Sequence, residues 1–272
     1  MKILIALSLF LNINIWCLEK CGLVLSEYGN NRDRSNCTTI EMQNIYLSPN
    51  GNFYIHYDTT PRFDNEDELI DDHSPDLIDI EPLDGVPDYI NQVAEVADSS
   101  YKLLIEKMKF KDGANGEDNI TDIYVLDMGG SFYGRAIRIG CDDSCIEIDN
   151  DYEDDSYIVK GTDAMKVTTL HEFFHVVQFE YRCGTGGDGY FYELSSTWIE
   201  DLGYPDINDY INFLNSNSSS RLTYPNSFSC KQHNPKALLV LSSSSDKYQV
   251  PIPVGLNNFT TALNSFSPFC CL

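Results

Sequence analysis

Basic residues are scarce in this chain. Eighteen Lys and Arg stand against 42 Asp and Glu, a formal net charge of −24. So acidic a protein is repelled by phosphate backbones and by anionic headgroups, which argues against nucleic acid and against an anionic membrane as partners. Long apolar runs are also missing. Ile3–Trp16 is mostly apolar, but Asn12 and Asn14 interrupt it. It falls short of the roughly 20 residues that a membrane-spanning helix needs. Its length suits the core of a signal peptide, with cleavage expected between Trp16 and Cys21. A retained amphipathic N-terminus is the alternative. No other segment is long and apolar enough to span, so a soluble, secreted mature chain is expected. Internal repeats are absent. Histidine is rare, with five in 272 residues.

Cysteine is not rare, and it agrees with export. If Cys17 leaves with the leader, Cys21, Cys37, Cys141, Cys145, Cys183, Cys230, Cys270 and Cys271 remain. An even set in a secreted chain reads as disulfides. Cys141 and Cys145 are close enough to bridge locally. Adjacent Cys270 and Cys271 should each reach elsewhere. The acids crowd into residues 64–88 and 142–155. One reading is a solvated, highly soluble surface. The other is Ca²⁺ binding, because hard cations gather carboxylate oxygens. Asp112-Gly-Ala-Asn-Gly-Glu-Asp118 and Asp142-Asp143 are loose candidates, but neither has EF-hand spacing, so Ca²⁺ is left without an assigned site.

Two of the five histidines fall in one pentapeptide, His171-Glu-Phe-Phe-His175. The segment Ala164–Arg182 should be helical. Four residues make slightly more than one turn, so the two imidazoles stack on one face and can share one Zn²⁺. Glu172 projects beside that face, where it can act as a base on a water. Val167, Leu170, Phe173, Phe174, Val176 and Val177 surround the motif, and Glu172 is the one Asp, Glu, Lys or Arg between Lys166 and Glu180. Such a helix is buried. A buried His-Glu-His set without partners is costly, and a metal removes that cost.

Eighteen residues after His175 comes Glu193, in a second helical run ending at Asp201. Leu194, Trp198 and Leu202 recur at i, i+4, i+8, and Gly203 follows as a stop. A glutamate on a second helix at this distance resembles the arrangement of the gluzincins, the thermolysin-like clan of zinc peptidases. The small residues Ser195, Ser196 and Thr197 suit the close helix approach of that clan. The resemblance makes Glu193 the third ligand. Glu200, seven residues on and on the same face, is its supporting or alternate residue. Thermolysin-like enzymes place an Asp four residues after the ligand Glu to hold a zinc histidine. Thr197 stands there, so the role passes to Glu200 or Asp201.

The longer string His171-Glu-Phe-Phe-His-Val-Val-Gln178, then Glu193 to Asp201 with Trp198, then Asn208-Asp-Tyr210, resembles a family of secreted, mostly bacterial metalloproteases. Phe53-Tyr-Ile-His-Tyr-Asp58, Asp84-Gly-Val-Pro-Asp-Tyr89, Asp122-Ile-Tyr-Val125 and Ile148-Asp-Asn-Asp-Tyr152 resemble it too. The match runs from about Phe53 to Leu214. It implies an α+β, zincin-like fold and hydrolysis of a protein or peptide substrate, with Glu172 taking a proton from water and passing it to the leaving amine. For the oxyanion, Tyr190, Tyr192, Tyr204, Tyr210 and His233 are candidates by type, and the sequence does not choose among them. Two other readings stay open: a secreted, zinc-binding but inactive recognition protein, and an acidic glycoprotein whose motif is accidental.

The expected organisation is a signal peptide at 1–17, an N-terminal segment at 18–43 that could serve as a pro-segment, a catalytic domain at 44–214, and a polar, Cys-containing region at 215–272. Within the domain, Glu41–Thr60 reads as two strands around the turn Pro49-Asn-Gly51, and Asp64–Pro87 as an acidic loop. The apolar stripe from Val86 to Met108 predicts one long helix over Pro87–Met108. Asp122–Met128, Tyr133–Ile139 and Cys145–Ile148 read as short strands, and Ile207–Leu214 as a third helix. In zincin-like enzymes an edge strand pairs with extended substrate, and Cys145–Asp149 is the expected edge strand here, either for substrate or simply guarded by its acids.

Overall fold

The turn at Pro49-Asn-Gly51 starts the sheet, with Gly51 in the left-handed region at φ 78°. The computed structural model describes residues 19–21, 41–64, 67–113, 116–139, 142–181 and 189–209. Its elements in chain order are β1 (Glu19–Cys21), β2 (Asn44–Leu47), β3 (Phe53–Tyr57), β4 (Arg62–Phe63), β5 (Leu69–Asp71), α1 (Asp88–Tyr101), β6 (Thr121–Leu126), β7 (Phe132–Ile139), β8 (Asp143–Asp149), α2 (Gly161–Tyr181) and α3 (Gly189–Gly203). This is a mixed α+β architecture. The main sheet runs β1-β7-β8-β6-β3-β2. β6 is parallel to both β3 and β8, while β2 on β3 and β7 on β8 are antiparallel.

Alternation along β3 decides which face is the core. Phe53, Ile55 and Tyr57 are buried and point toward the helices, while Tyr54 and His56 lie on the other face, half-buried. Phe53 packs its ring edge-on against Tyr101 of α1 and Phe173 of α2, with centroids 6.4 and 5.0 Å apart. The core thus lies between the sheet and these two helices, and α3 packs on α2.

Three expectations need correction. Cys145–Asp149 lies in β8, which is not an edge, because β7 and β6 flank it on both sides. Its acids are bonded inside the fold instead of guarding an edge. Glu147 pairs with Arg135 on β7. Asp149 accepts from the backbone N–H groups of Met128, Asp151 and Tyr152 and from the Tyr157 hydroxyl. The long helix is α only to Tyr101. Lys102–Lys107 continue as a π-helical segment, and Lys109 at φ 63° ends it. The acidic loop is not structureless, since β5 pairs with β4 as a small ribbon and carboxylates tie the rest together. Asp79 accepts from the N–H groups of Asp84 and Gly85, and Asp88 from those of Ile80 and Glu81.

Several expectations fall outside the described residues: the leader at 1–17, nearly all of 18–43, the region 215–272, and Leu214 and its neighbours from Tyr210 on. Of the expected third helix, Ile207–Asp209 are described and are not helical. Cys145 is buried and disulfide-bonded. Cys37, Cys141, Cys183, Cys230, Cys270 and Cys271 lie outside the described residues. No described helix is long and apolar enough to cross a membrane.

One strand residue sets how closely sheet and helix approach. A Cβ at Gly134 of β7 would meet Thr168 Cγ2 at 2.6 Å, the Glu147 carbonyl oxygen at 3.0 Å and Glu172 Cγ at 3.2 Å. Thr168 is β-branched on a buried helix, and a carbonyl cannot turn aside, so neither gives way cheaply. Gly134→Ala should therefore lower stability by about 1–3 kcal/mol, the usual cost of overpacking, measured by denaturant unfolding, and Gly134→Val should cost more.

Candidate metal centre

The central part of α2 has no solvent face. Apart from Lys166, residues 164–179 are all buried. A helix apolar all round belongs in a core. Yet His171, Glu172 and His175 sit there at 1%, 1% and 0% exposure. Each ionisable group so placed must find partners.

The outer nitrogens of both imidazoles find them on the protein. His171 Nδ1 lies 2.5 Å from Glu200 Oε1, across the interface with α3. His175 Nδ1 lies 2.7 Å from Gln178 Oε1, one turn along its own helix. Held from behind, the two rings turn their inner nitrogens toward each other, and the Nε2 atoms are 3.0 Å apart. Glu193 completes the group from α3. Its Oε2 is 3.3 Å from His171 Nε2 and its Oε1 is 3.5 Å from His175 Nε2. Ligand atoms from all three residues lie within 4.8 Å of one another. Two imidazoles and one carboxylate converging in this way could hold a metal ion, and among the described residues no other His, Cys, Asp or Glu group does so.

Close approach of α2 and α3 makes this geometry available. Ser195 and Ser196 are buried where the helices meet. The end of α3 also comes close, since a Cβ at Gly203 would lie 2.3 Å from Leu170 Cδ2, which would have to move aside. Glu193 and Glu200 are two turns apart and take different positions. Glu193 faces both inner nitrogens, and Glu200 faces the back of His171. Thr197, where the resemblance would have an Asp, bonds the Glu193 carbonyl of its own helix at 2.8 Å. Glu172 belongs to the same centre through its charge, which acts on His171.

Opposing effects act on His171. Burial pushes its pKa down. Hydrogen bonds that its ring N–H groups donate to Glu193 and Glu200, with the charges of Glu200 and Glu172, push it up and win, lifting it from 6.5 to about 10. Before any metal binds, the ring is an imidazolium between two carboxylates. A metal must displace its inner proton.

Of the candidate oxyanion donors, Tyr192 is buried, and burial pushes the half-buried Tyr204 up to about 12, which keeps its hydroxyl protonated. The side chain of Tyr190, and Tyr210 and His233 entirely, lie outside the described residues. Of Glu200 and Asp201, one of which is expected to support a histidine, Glu200 makes the bond. Gln178 stands in the sequence string that carries the resemblance, but the sequence assigns it no role; the signal is a lone amide in an apolar stretch, one turn after His175 on the same face. No family model, curated protein or solved structure matches the chain.

Metal analysis of the purified chain should find binding lost in Glu193→Ala. Glu200→Ala should weaken it about 10- to 100-fold, as loss of a ligand's partner does. Because His171 holds its proton up to about pH 10, affinity measured by chelator competition should climb from pH 6.5 upward, by about tenfold per unit.

Proposed function

We propose that the chain is a secreted, zinc-dependent peptidase of the gluzincin type, with His171, His175 and Glu193 as ligands and Glu172 as general base. The observation that carries this reading is the convergence of three ligand atoms beside a buried glutamate. The donor set suits zinc, which takes imidazole and carboxylate together. A tetrahedral zinc with bonds of about 2.0–2.1 Å holds its nitrogens about 3.3–3.4 Å apart. The 3.0, 3.3 and 3.5 Å separations lie close to that. Three protein ligands leave a fourth position open, as catalytic zinc sites require.

When bound, zinc lowers the pKa of a water and polarises a carbonyl. The protein's own part falls to Glu172. Buried on α2 among Thr168, Gly134 and the histidines, it accepts the proton of the attacking water and delivers it to the leaving amine. Glu200 and Gln178 keep the rings aimed. Gly134 puts β7 beside Glu172. The short apolar leader, the cysteine content and the acidic surface support a secreted setting.

A peptide-library digest tests the reading. Wild-type protein should cleave, and a chelator should stop it. Glu172→Gln should lose about 10²–10⁴ in rate while keeping its zinc. A folded wild-type chain with full zinc and no cleavage of any peptide would contradict the peptidase reading and favour a binding protein.

A further inference from the structure

Gln178 is 2% exposed, and both ends of its amide are engaged. Its Oε1 faces His175 Nδ1 at 2.7 Å. Its Nε2 lies 3.1 Å from the Tyr192 carbonyl and 2.9 Å from Ser195 Oγ, with Ser196 Oγ at 3.5 Å. A backbone carbonyl can only accept. The atom facing Tyr192 must therefore be the NH₂ group, and the atom facing His175 must be the oxygen. The opposite placement would set two oxygens 3.1 Å apart in a buried site. An amide oxygen only accepts as well, so Nδ1 of His175 carries a proton. Ser196 Oγ, 3.3 Å from the same nitrogen, can accept alongside it. In the neutral ring the lone pair then lies on Nε2, toward Glu193 and His171.

The same amide spans two helices. Tyr192 immediately precedes Glu193, so the bond to its carbonyl fixes the α3 backbone where the third ligand leaves it. We propose that Gln178 is a positioning residue with two linked roles: it fixes the tautomer of His175, and it sets the distance between that histidine and Glu193. The two histidines are thus held by different chemistry. A carboxylate backs His171 and a neutral amide backs His175. Glu200 is tied to one ligand, whereas Gln178 reaches one and anchors the chain beside another. This inference rests on the metal reading of the site.

Long-range proton–nitrogen NMR of the metal-free protein reads the tautomer directly, without zinc or substrate. His175 should be protonated on Nδ1 and bare on Nε2 in the wild type, and should shift toward the Nε2-protonated form in Gln178→Met. Zinc affinity, by chelator competition, should fall about 10- to 100-fold in Gln178→Met. Gln178→Glu keeps an acceptor for Nδ1–H but sets a carboxylate oxygen against the Tyr192 carbonyl, so it should keep the wild-type His175 tautomer while recovering little of the zinc affinity. A wild-type His175 protonated on Nε2 would overturn the proposal, and so would a folded Gln178→Met chain with wild-type zinc affinity. If Gln178→Met does not fold, the wild-type spectrum still decides. If the wild type takes up no zinc, the peptidase reading fails while the tautomer result stands or falls separately.

Discussion

Burial of three ionisable side chains on an apolar helix is the constraint from which the rest of the structure follows. His171, Glu172 and His175 have almost no contact with solvent. Unpaired, such groups cost several kcal/mol. The fold backs each imidazole from behind, with Glu200 at His171 and with Gln178, joined by Ser196, at His175. Those bonds decide which ring nitrogens remain to point inward. The third carboxylate, Glu193, meets them there. The imidazolium state of His171 is a second consequence, because two carboxylates beside one buried ring outweigh its desolvation.

This arrangement requires close approach on both sides of α2. Toward the sheet, Gly134 lets β7 reach Thr168 and Glu172. Toward α3, Ser195, Ser196 and Gly203 let the second helix bring Glu193 within reach. Small residues at these points are part of the centre although none of them offers a ligand. The aromatic packing of Phe53, Tyr101 and Phe173 holds α2 against the sheet.

Much of this could be read from the residues. The His-Glu-x-x-His spacing, the apolar flanks and the Glu193 helix are local patterns, and helical period alone puts the histidines on one face. The strands are legible for the same reason, since alternation in Phe53–Tyr57 is local. What could not be read is long-range. Cys145–Asp149 reads like a guarded edge because acids on a strand look alike whether they meet water or partners inside the fold. Its place between β6 and β7 depends on pairings between segments distant in sequence. The roles of Glu193 and Glu200 likewise depend on how α3 is rotated against α2, since both lie on one helix face. Gln178 was legible in position but not in role, because its second partner is a backbone carbonyl on another helix.

The central claim concerns what His171, His175 and Glu193 hold. X-ray absorption at the zinc edge of the purified protein tests it most directly. The account predicts one zinc per chain, ringed by nitrogen and oxygen at about 2.0–2.2 Å with the outer-shell scattering of two imidazoles. A chain that retains no zinc, or a zinc with sulfur neighbours at about 2.3 Å, would contradict it, the latter by placing the ion on cysteines instead.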